Sequence, residues 1–259
     1  MIRMRPKSCI NSVKKVLLII TLLGACLSEV SQEAEAQDAL EPKRLKNQAE
    51  VSAVSTIGNT DILTLSFRNV LTYDFSRNST VRWDLYVLYG EQDKIKSAER
   101  YSTDLRGDHK LSARYYAYLL GGWLRDEFAG YRNRYYTGPG IGRSLIDDHN
   151  HLFVVELGAN LTREEYVTGV ASDFLESRLF GGYEYAFSEG NQFMQSLEYL
   201  HDLKNSSNYK VLSKTSLTSA LTEILAMRFT YEIRYQNRPL PDSLEKTDTT
   251  FSGSLVWTY

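Results

Sequence analysis

Hydrophobic and polar side chains alternate with a period of two along most of the chain after Asn47. In the segment 224–236, one face carries Leu225, Met227, Phe229, Tyr231, Ile233 and Tyr235, and the other carries Ala226, Arg228, Thr230, Glu232, Arg234 and Gln236. Successive side chains of a strand point to opposite faces, whereas a helix repeats every 3.6 residues. The pattern therefore predicts an all-β chain.

Turn-forming sequences interrupt this alternation at near-even intervals. The eleven predicted connections lie near residues 58–61, 76–79, 94–97, 111–113, 129–130, 147–150, 167–170, 188–191, 205–208, 222–223 and 237–244. They predict about twelve strands of roughly 10–16 residues each, longer than the usual strand of a globular sheet. About ten or about fourteen strands also fit these boundaries. Pro139, between Gly138 and Gly140, predicts a bulge or kink within a strand.

The predicted strands are long enough to cross a membrane at a tilt. Alternation alone also fits a soluble barrel with its apolar face inward, but the last strand favours the membrane. It ends the chain on an aromatic residue and resembles the signal read by the barrel-assembly machinery, with one face formed by Phe251, Gly253, Leu255, Trp257 and Tyr259. We therefore predict a closed antiparallel transmembrane β-barrel, in which the first strand, near residues 48–57, pairs with the last. An even strand number would place both termini on one side, expected to be periplasmic.

The N-terminus has the features of an export signal. A basic segment precedes twelve apolar residues, 16–27, which are too few to span a bilayer as a helix. Small residues at Ala34 and Ala36 predict cleavage after Ala36, which divides the chain into a signal peptide (1–36), a periplasmic lead-in (37–47) and a barrel (48–259). Lipidation of Cys26 is the alternative. With cleavage after Ala36 the mature chain has no cysteine, because Cys9 and Cys26 both lie before that site.

Composition narrows the function classes. The chain has 259 residues, of which 30 are basic and 32 acidic, so a net charge of -2 gives no basis for nucleic-acid binding. Mean hydropathy is -0.35, too polar for a helical membrane protein. The 18 Tyr, 10 Phe and 3 Trp instead predict aromatic belts at the two membrane interfaces. The expected partners are outer-membrane lipids and lipopolysaccharide.

The polar face carries many charges of both signs, which we predict to line the lumen. They are Arg68, Asp74, Arg82, Asp84, Arg106, Arg132, Arg134, Glu156, Glu164, Glu176, Arg178, Glu184, Glu198, Arg228, Glu232 and Arg234. The lumen of about twelve strands is narrow, so opposed Arg and Glu would pair across it. Two functions follow: a structural barrel filled by such pairs, or a narrow pore for small solutes or ions.

Other chemistry is weakly represented. His109, His149, His151 and His201 have no serine at a recognisable spacing, and no cofactor motif or metal site is predicted. We therefore predict that the protein is not an enzyme, with an outer-membrane lipid hydrolase as the alternative. The charged hairpin 125–134 is read as a solvated tip, with contact to lipopolysaccharide phosphates as the second possibility.

Several blocks together resemble one protein family. They are Gly58-Asn59-Thr60-Asp61, Arg125-Asp126, Phe128, Gly130, Arg134-Tyr135, Gly138, Gly140, Gly142, Leu145-Ile146-Asp147 and Arg163-Glu164-Glu165. The chain resembles the YdiY-like family of salt-induced outer-membrane proteins from about Gln48 to Tyr259. The resemblance implies an outer-membrane barrel linked to salt or osmotic stress, and implies no particular activity.

Overall fold

The computed structural model describes residues 45–56 and 62–258. The strands are β1 (Leu45–Thr56), β2 (Ile62–Ser76), β3 (Ser79–Gln92), β4 (Ile95–Lys110), β5 (Tyr115–Asp126), β6 (Tyr131–Asp147), β7 (His151–Tyr166), β8 (Ala171–Ser188), β9 (Asn191–Asp202), β10 (Tyr209–Ala220), β11 (Leu225–Gln236) and β12 (Thr247–Thr258). A short 3-10 turn, Glu127–Ala129, joins β5 to β6. Within these ranges, no helix is long and apolar enough to cross a membrane.

The strands form a closed antiparallel barrel of twelve, as predicted, with each strand paired to its neighbour in sequence. The ring closes between β1 and β12, in a register that runs from Gln48 opposite Thr258 to Val51 opposite Leu255. Closure leaves no edge strand, which a membrane would penalise by several kcal/mol for each unsatisfied backbone group. The barrel has a terminus end, which holds the start of β1 and the end of β12, and a loop end opposite it.

Some boundaries differ from the prediction. β1 begins at Leu45 rather than Gln48, because polar residues that interrupt the alternation still pair: the Asn69 side chain donates to the Asn47 oxygen at 2.8 Å. Residues 45–47 of the predicted lead-in are therefore barrel. The predicted signal peptide, the rest of the predicted lead-in, the predicted 58–61 turn and Tyr259 lie outside the described residues.

Apolar side chains point outward from the barrel. Leu105, Leu157, Leu161 and Phe251 are 54–70% exposed although they lie within strands. Exposed aliphatic side chains around a closed sheet are the arrangement of a membrane barrel, because lipid replaces the missing core. A soluble barrel would turn them inward. On β12, Gly253, Leu255 and Trp257 continue the outward face of Phe251.

Aromatic residues gather near both ends of the outer surface. The loop end carries Tyr89, Tyr101, Trp123, Tyr135, Tyr199, Tyr209 and Tyr235, and the terminus end carries Tyr73, Trp83, Tyr115, Phe153, Tyr183, Tyr185 and Trp257. Neighbouring rings touch, as between Tyr199 and Tyr209, whose centroids are 5.9 Å apart. Two such belts flank the apolar band of a membrane barrel, because amphipathic rings fit the headgroup level.

The sequence predicts a bulge or a kink at Pro139, and the bulge is wrong. β6 keeps one register with β7 on both sides of it, pairing Thr137 with Leu161 and Gly140 with Gly158. Gly138 and Pro139 pair with Leu120 and Leu119 of β5 but have no ladder partner on β7, and proline has no N–H to donate to a ladder. The bulges of this strand lie near its ends instead, one of them between Tyr131 and Asn133.

Candidate functional site

The lumen holds a buried four-charge cluster, formed by Arg134, Glu164, Glu176 and Lys210 from four different strands. Both carboxylates are almost inaccessible, with side-chain exposures of 0% for Glu164 and 1% for Glu176. Lys210 Nζ lies 2.5 Å from Glu164, and Arg134 Nη2 lies 2.9 Å from Glu176. The Tyr166 hydroxyl also donates to Glu164. Buried charges need this degree of pairing because desolvation of an isolated ion is costly.

A second group is built around Glu156 on β7. Its carboxylate contacts Arg106 from β4 and Arg178 from β8, at 2.7 and 2.6 Å. Arg178 also reaches Glu198 at 2.5 Å. The Tyr116 hydroxyl donates to Glu156 at 2.7 Å. Side chains from strands that are not neighbours thus meet inside the barrel.

Glycines on β6 make room for the tyrosines of β5. A Cβ atom on Gly140 would lie 2.1 Å from the Tyr118 ring, and one on Gly142 would lie 2.1 Å from the Tyr116 ring. The rings therefore rest on bare backbone, which lets the Tyr118 hydroxyl reach Arg178 Nη1 at 2.8 Å. The glycine-spaced block of the sequence thus has a packing role: it positions two tyrosines of the lumen network.

Three contacts cross the lumen near the loop end. Arg234 of β11 lies 3.2 Å from Asp126 at the end of β5, on opposite sides of the ring of strands. Arg100 of β4 lies 3.5 Å from Glu232 of β11. The Tyr131 hydroxyl donates to Gln236 at 2.8 Å. Direct bonds between opposite walls show that the lumen is narrow at this level.

The wall formed by β1–β3 and β10–β12 includes charged side chains that are partly exposed. Arg68 pairs with Asp84 at 2.5 Å and Arg228 with Glu50 at 3.0 Å, while the Arg82 side chain is 50% exposed. Within the described residues, Lys214 has no ion pair or side-chain hydrogen bond, and it is only half-buried. Charged side chains that keep partial exposure inside a barrel line space that water can enter.

The structure brings most of the predicted lumen residues into these contacts. Glu184 instead accepts from Gln192 at 2.9 Å, and Asp74 accepts from Thr80 at 2.7 Å. Arg132 does not join them: it is exposed, because the bulge between Tyr131 and Asn133 removes it from the alternation that carries Arg134 inward.

Sequence reasoning missed several lumen residues, namely Glu50, Arg100, Asp104, Lys210 and Lys214. Their places on the same alternating faces as the predicted set were a usable signal.

The predicted charged tip at 125–134 is only partly solvated in the structure. Arg125 and Glu127 form an exposed pair at 2.5 Å, whereas Asp126 and Arg134 point into the lumen.

The histidines do not form a catalytic arrangement in the described residues. His151 Nδ1 lies 2.8 Å from the Tyr183 hydroxyl, and His201 Nδ1 lies 3.1 Å from that of Tyr199. His109 meets Ser79 through Nδ1 at 2.9 Å, the nitrogen that a Ser-His-Asp triad gives to its carboxylate. No group of three or more His, Cys, Asp or Glu suited to a metal occurs among the described residues.

The His149–His151 turn is held by Asp148. The backbone N–H groups of His151 and Asn150 donate to its carboxylate at 2.7 and 3.0 Å. These two bonds hold the pKa of the Asp148 carboxyl below its ordinary value, because they favour the charged form. The turn is therefore held by hydrogen bonds between the Asp148 side chain and its own backbone.

Comparison with known proteins identifies the family of this chain. A family model described as "Protein of unknown function, DUF481" matches residues 49–259. The chain belongs to the DUF481 family. A curated relative, "Uncharacterized protein YdiY" of Escherichia coli (strain K12), is 22% identical over 254 residues, covering 94% of this chain and 97% of the relative. The resemblance to YdiY-like proteins expected from the sequence is confirmed.

Solved structures share the architecture of this DUF481 member. The NanC porin superposes with a TM-score of 0.54 at 8% identity, covering 82% of this chain and 98% of that one. The COG4313 outer membrane channel from Pseudomonas putida F1 gives 0.52 at 8% identity, covering 86% and 100%. At such low identity these similarities establish the fold, that of outer-membrane barrels.

Proposed function

We propose that this DUF481 protein is an outer-membrane barrel whose lumen is a narrow passage for small polar solutes or ions. The observation that carries the proposal is the partly exposed charged wall, where the side chains of Arg82, Arg68 and Asp84 keep 50%, 25% and 15% of their surface exposed inside a barrel with an apolar exterior. Lys214 on β10 is also partly exposed. A wall that served only as filling would bury its charges as the four-charge cluster does. Two proteins of similar fold, the NanC porin and the COG4313 outer membrane channel, have names that agree with this function.

The location is part of the proposal. Residues 1–36 would direct export, the face of β12 would be read by the barrel-assembly machinery, and both termini would lie in the periplasm. The outward apolar side chains and the two aromatic belts support insertion among outer-membrane lipids and lipopolysaccharide. The loop end would then face the cell exterior.

The charge pattern predicts weak ion selectivity. Most lumen charges lie within salt-bridge distance of an opposite charge, as in Arg68–Asp84 and Arg228–Glu50. Paired charges leave little net field to favour anions or cations. The passage would therefore discriminate mainly by size.

Single-channel recording in planar bilayers tests the proposal. Wild-type protein should give small current steps, and the double variant Arg100→Ala with Glu232→Ala should give larger ones, because it removes a contact that crosses the lumen without leaving a lone charge. The matched control, Arg163→Ala with Asp173→Ala, removes an exposed pair and should leave the steps unchanged. Absence of steps from both wild type and the cross-lumen variant would reject the passage.

A closed structural barrel is the second candidate, favoured by the contacts that join opposite walls, such as Arg234–Asp126. On this account the wild type gives no steps while the cross-lumen variant conducts. A link to salt stress rests on the family resemblance alone. It predicts that deletion of the gene impairs growth at high salt, and equal growth of the deletion and parent strains would remove the link.

A further inference from the structure

A cavity of about 330 Å³ lies in the lumen at the loop end. Its walls are partly apolar, because Leu124, Leu200 and Leu212 project into it from the strands. The loop between β11 and β12 forms its roof with Pro239, which is buried, and Leu244. Apolar walls with a few polar groups are typical of small-molecule sites of this size.

The roof is held close to the barrel rim by a glycine. Gly130 follows the 3-10 turn with a φ of +87°, and a Cβ atom there would lie 2.0 Å from the Leu240 carbonyl oxygen. This close approach fixes the loop over the mouth. The cavity is therefore enclosed by two connections as well as by strands.

Arg100 has unused hydrogen-bonding capacity in this cavity. Its Nε atom is buried and has no hydrogen-bond partner, its contact with Glu232 is long at 3.5 Å, and its guanidinium lies over the Tyr86 ring. The other inward cations of the cavity, Arg134, Lys210 and Arg234, each have a carboxylate within 3.2 Å. A carboxylate ligand would pair with the part of the Arg100 side chain that stays exposed, 19% of its surface, without breaking those pairs.

The acidic groups of the cavity are less suited to bind a cationic ligand, because the inward ones already have partners. Asp126 accepts from the Ala129 N–H and pairs with Arg234, and Glu198 pairs with Arg178 at 2.5 Å. Glu245 and Asp248 are exposed at the rim together with Lys246, so the rim is nearly balanced in charge.

We propose that this cavity binds a small organic anion, a carboxylate attached to an apolar body, with the carboxylate on Arg100 and the body against Leu124, Leu200 and Leu212. The volume suits about one ring and its carboxylate. The inference that the cavity binds an anion rests on the residues of the cavity and does not depend on the proposed passage. Only its role as a solute site of the passage rests on the proposed function.

Calorimetric titration of the full-length purified protein in detergent tests the site with benzoate as the probe. Benzoate should bind at least about tenfold more tightly than benzamide, its neutral analogue, because a charge-assisted hydrogen bond is lost. Arg100→Gln should weaken benzoate binding by about tenfold or more. Leu244→Asp, a change in the roof outside the strands, should also weaken it by placing a like charge near the ligand. Arg163→Gln, on the outer surface, should bind as wild type.

The outcomes separate this inference from the passage. Equal binding of benzoate to wild type and Arg100→Gln, or no binding of benzoate up to about 10 mM, overturns the site. If that happens while current steps are present, the passage stands and the site falls. If benzoate binds through Arg100 and no steps are seen, the site stands and the passage falls. Heat-modifiable migration of each variant shows that its barrel has formed, and the comparison of benzoate with benzamide on wild type needs no variant.

Discussion

Substitution of Glu164 by Gln removes one charge from the most buried part of the lumen. Glu164 is 0% exposed and contacts Lys210 at 2.5 Å and Arg134 at 3.1 Å. The change keeps the size of the side chain but leaves two buried cations facing the single carboxylate of Glu176. Loss of one partner from a buried ion pair costs about 3–5 kcal/mol, so the free energy of unfolding should fall by about that amount.

The control is the next carboxylate along the same strand. Glu165 points outward, is 32% exposed and pairs with Arg163 at 3.1 Å. Solvent screens this pair, so Glu165→Gln should leave the free energy of unfolding close to that of the wild type. Urea titration of the folded protein, followed by heat-modifiable migration, measures both variants.

A compensating change sharpens the test. Addition of Lys210→Met to Glu164→Gln removes the excess cation and leaves Arg134 paired with Glu176 at 2.9 Å. The double variant should therefore be more stable than Glu164→Gln alone, with a coupling of about 1 kcal/mol or more. Equal costs for Glu164→Gln and Glu165→Gln, or no recovery in the double variant, would refute the reasoning that buried charge balance stabilises the barrel.

Three further predictions follow from single positions. Gly140→Ala should lower the free energy of unfolding by about 1–3 kcal/mol because its Cβ would meet the Tyr118 ring at 2.1 Å, whereas Gly181→Ala, with nothing within 4 Å, should have little effect in the same urea titration. Leu157→Arg should cost about 2–4 kcal/mol by placing a charge on the lipid face, and Leu111→Arg, in the turn after β4, should be tolerated; equal costs would contradict the membrane assignment of that face. NMR titration should give the Asp148 carboxyl a pKa below its ordinary value. The stabilisation that this carboxylate gives the turn is complete above the ordinary Asp pKa and is lost as the pH falls through the lowered pKa. An ordinary pKa for Asp148 would contradict its two backbone hydrogen bonds.

The sequence was enough to predict the strands, because one cause, a sheet with lipid outside and charge inside, acts on every residue. The ten connections within residues 62–258 lie where turn-forming residues interrupt the alternation, and the longest of these ten spans 237–246. The start of β1 was predicted three residues too late, because the prediction relied on the same hydrophobic alternation. Lys46 and Asn47 break the hydrophobic pattern, yet they pair with Thr72 and Leu71 in the ladder.

Partners within the lumen could not be predicted from the sequence. Alternation places Arg234 inside the barrel, whereas Asp126 was expected in a solvated tip, and only the closure of the ring brings β11 opposite β5. Alternation can also assign a residue to the wrong face. It predicted Arg132 inside the lumen, but a single bulge turns this residue to the outside. The glycine-spaced block was visible in the sequence, but its purpose depends on tyrosines of the neighbouring strand that cover Gly140 and Gly142.

A thiol placed in the lumen tests most directly whether the lumen is a passage. Cys9 and Cys26 are the only cysteines of the chain, so a variant that lacks both and carries Lys214→Cys has a single thiol, located on the partly exposed charged wall. We predict that a small charged thiosulfonate reagent modifies this thiol and changes the size of the single-channel current steps. A thiol at position 214 that does not react in the folded barrel, or that reacts without any effect on the current, would contradict the account.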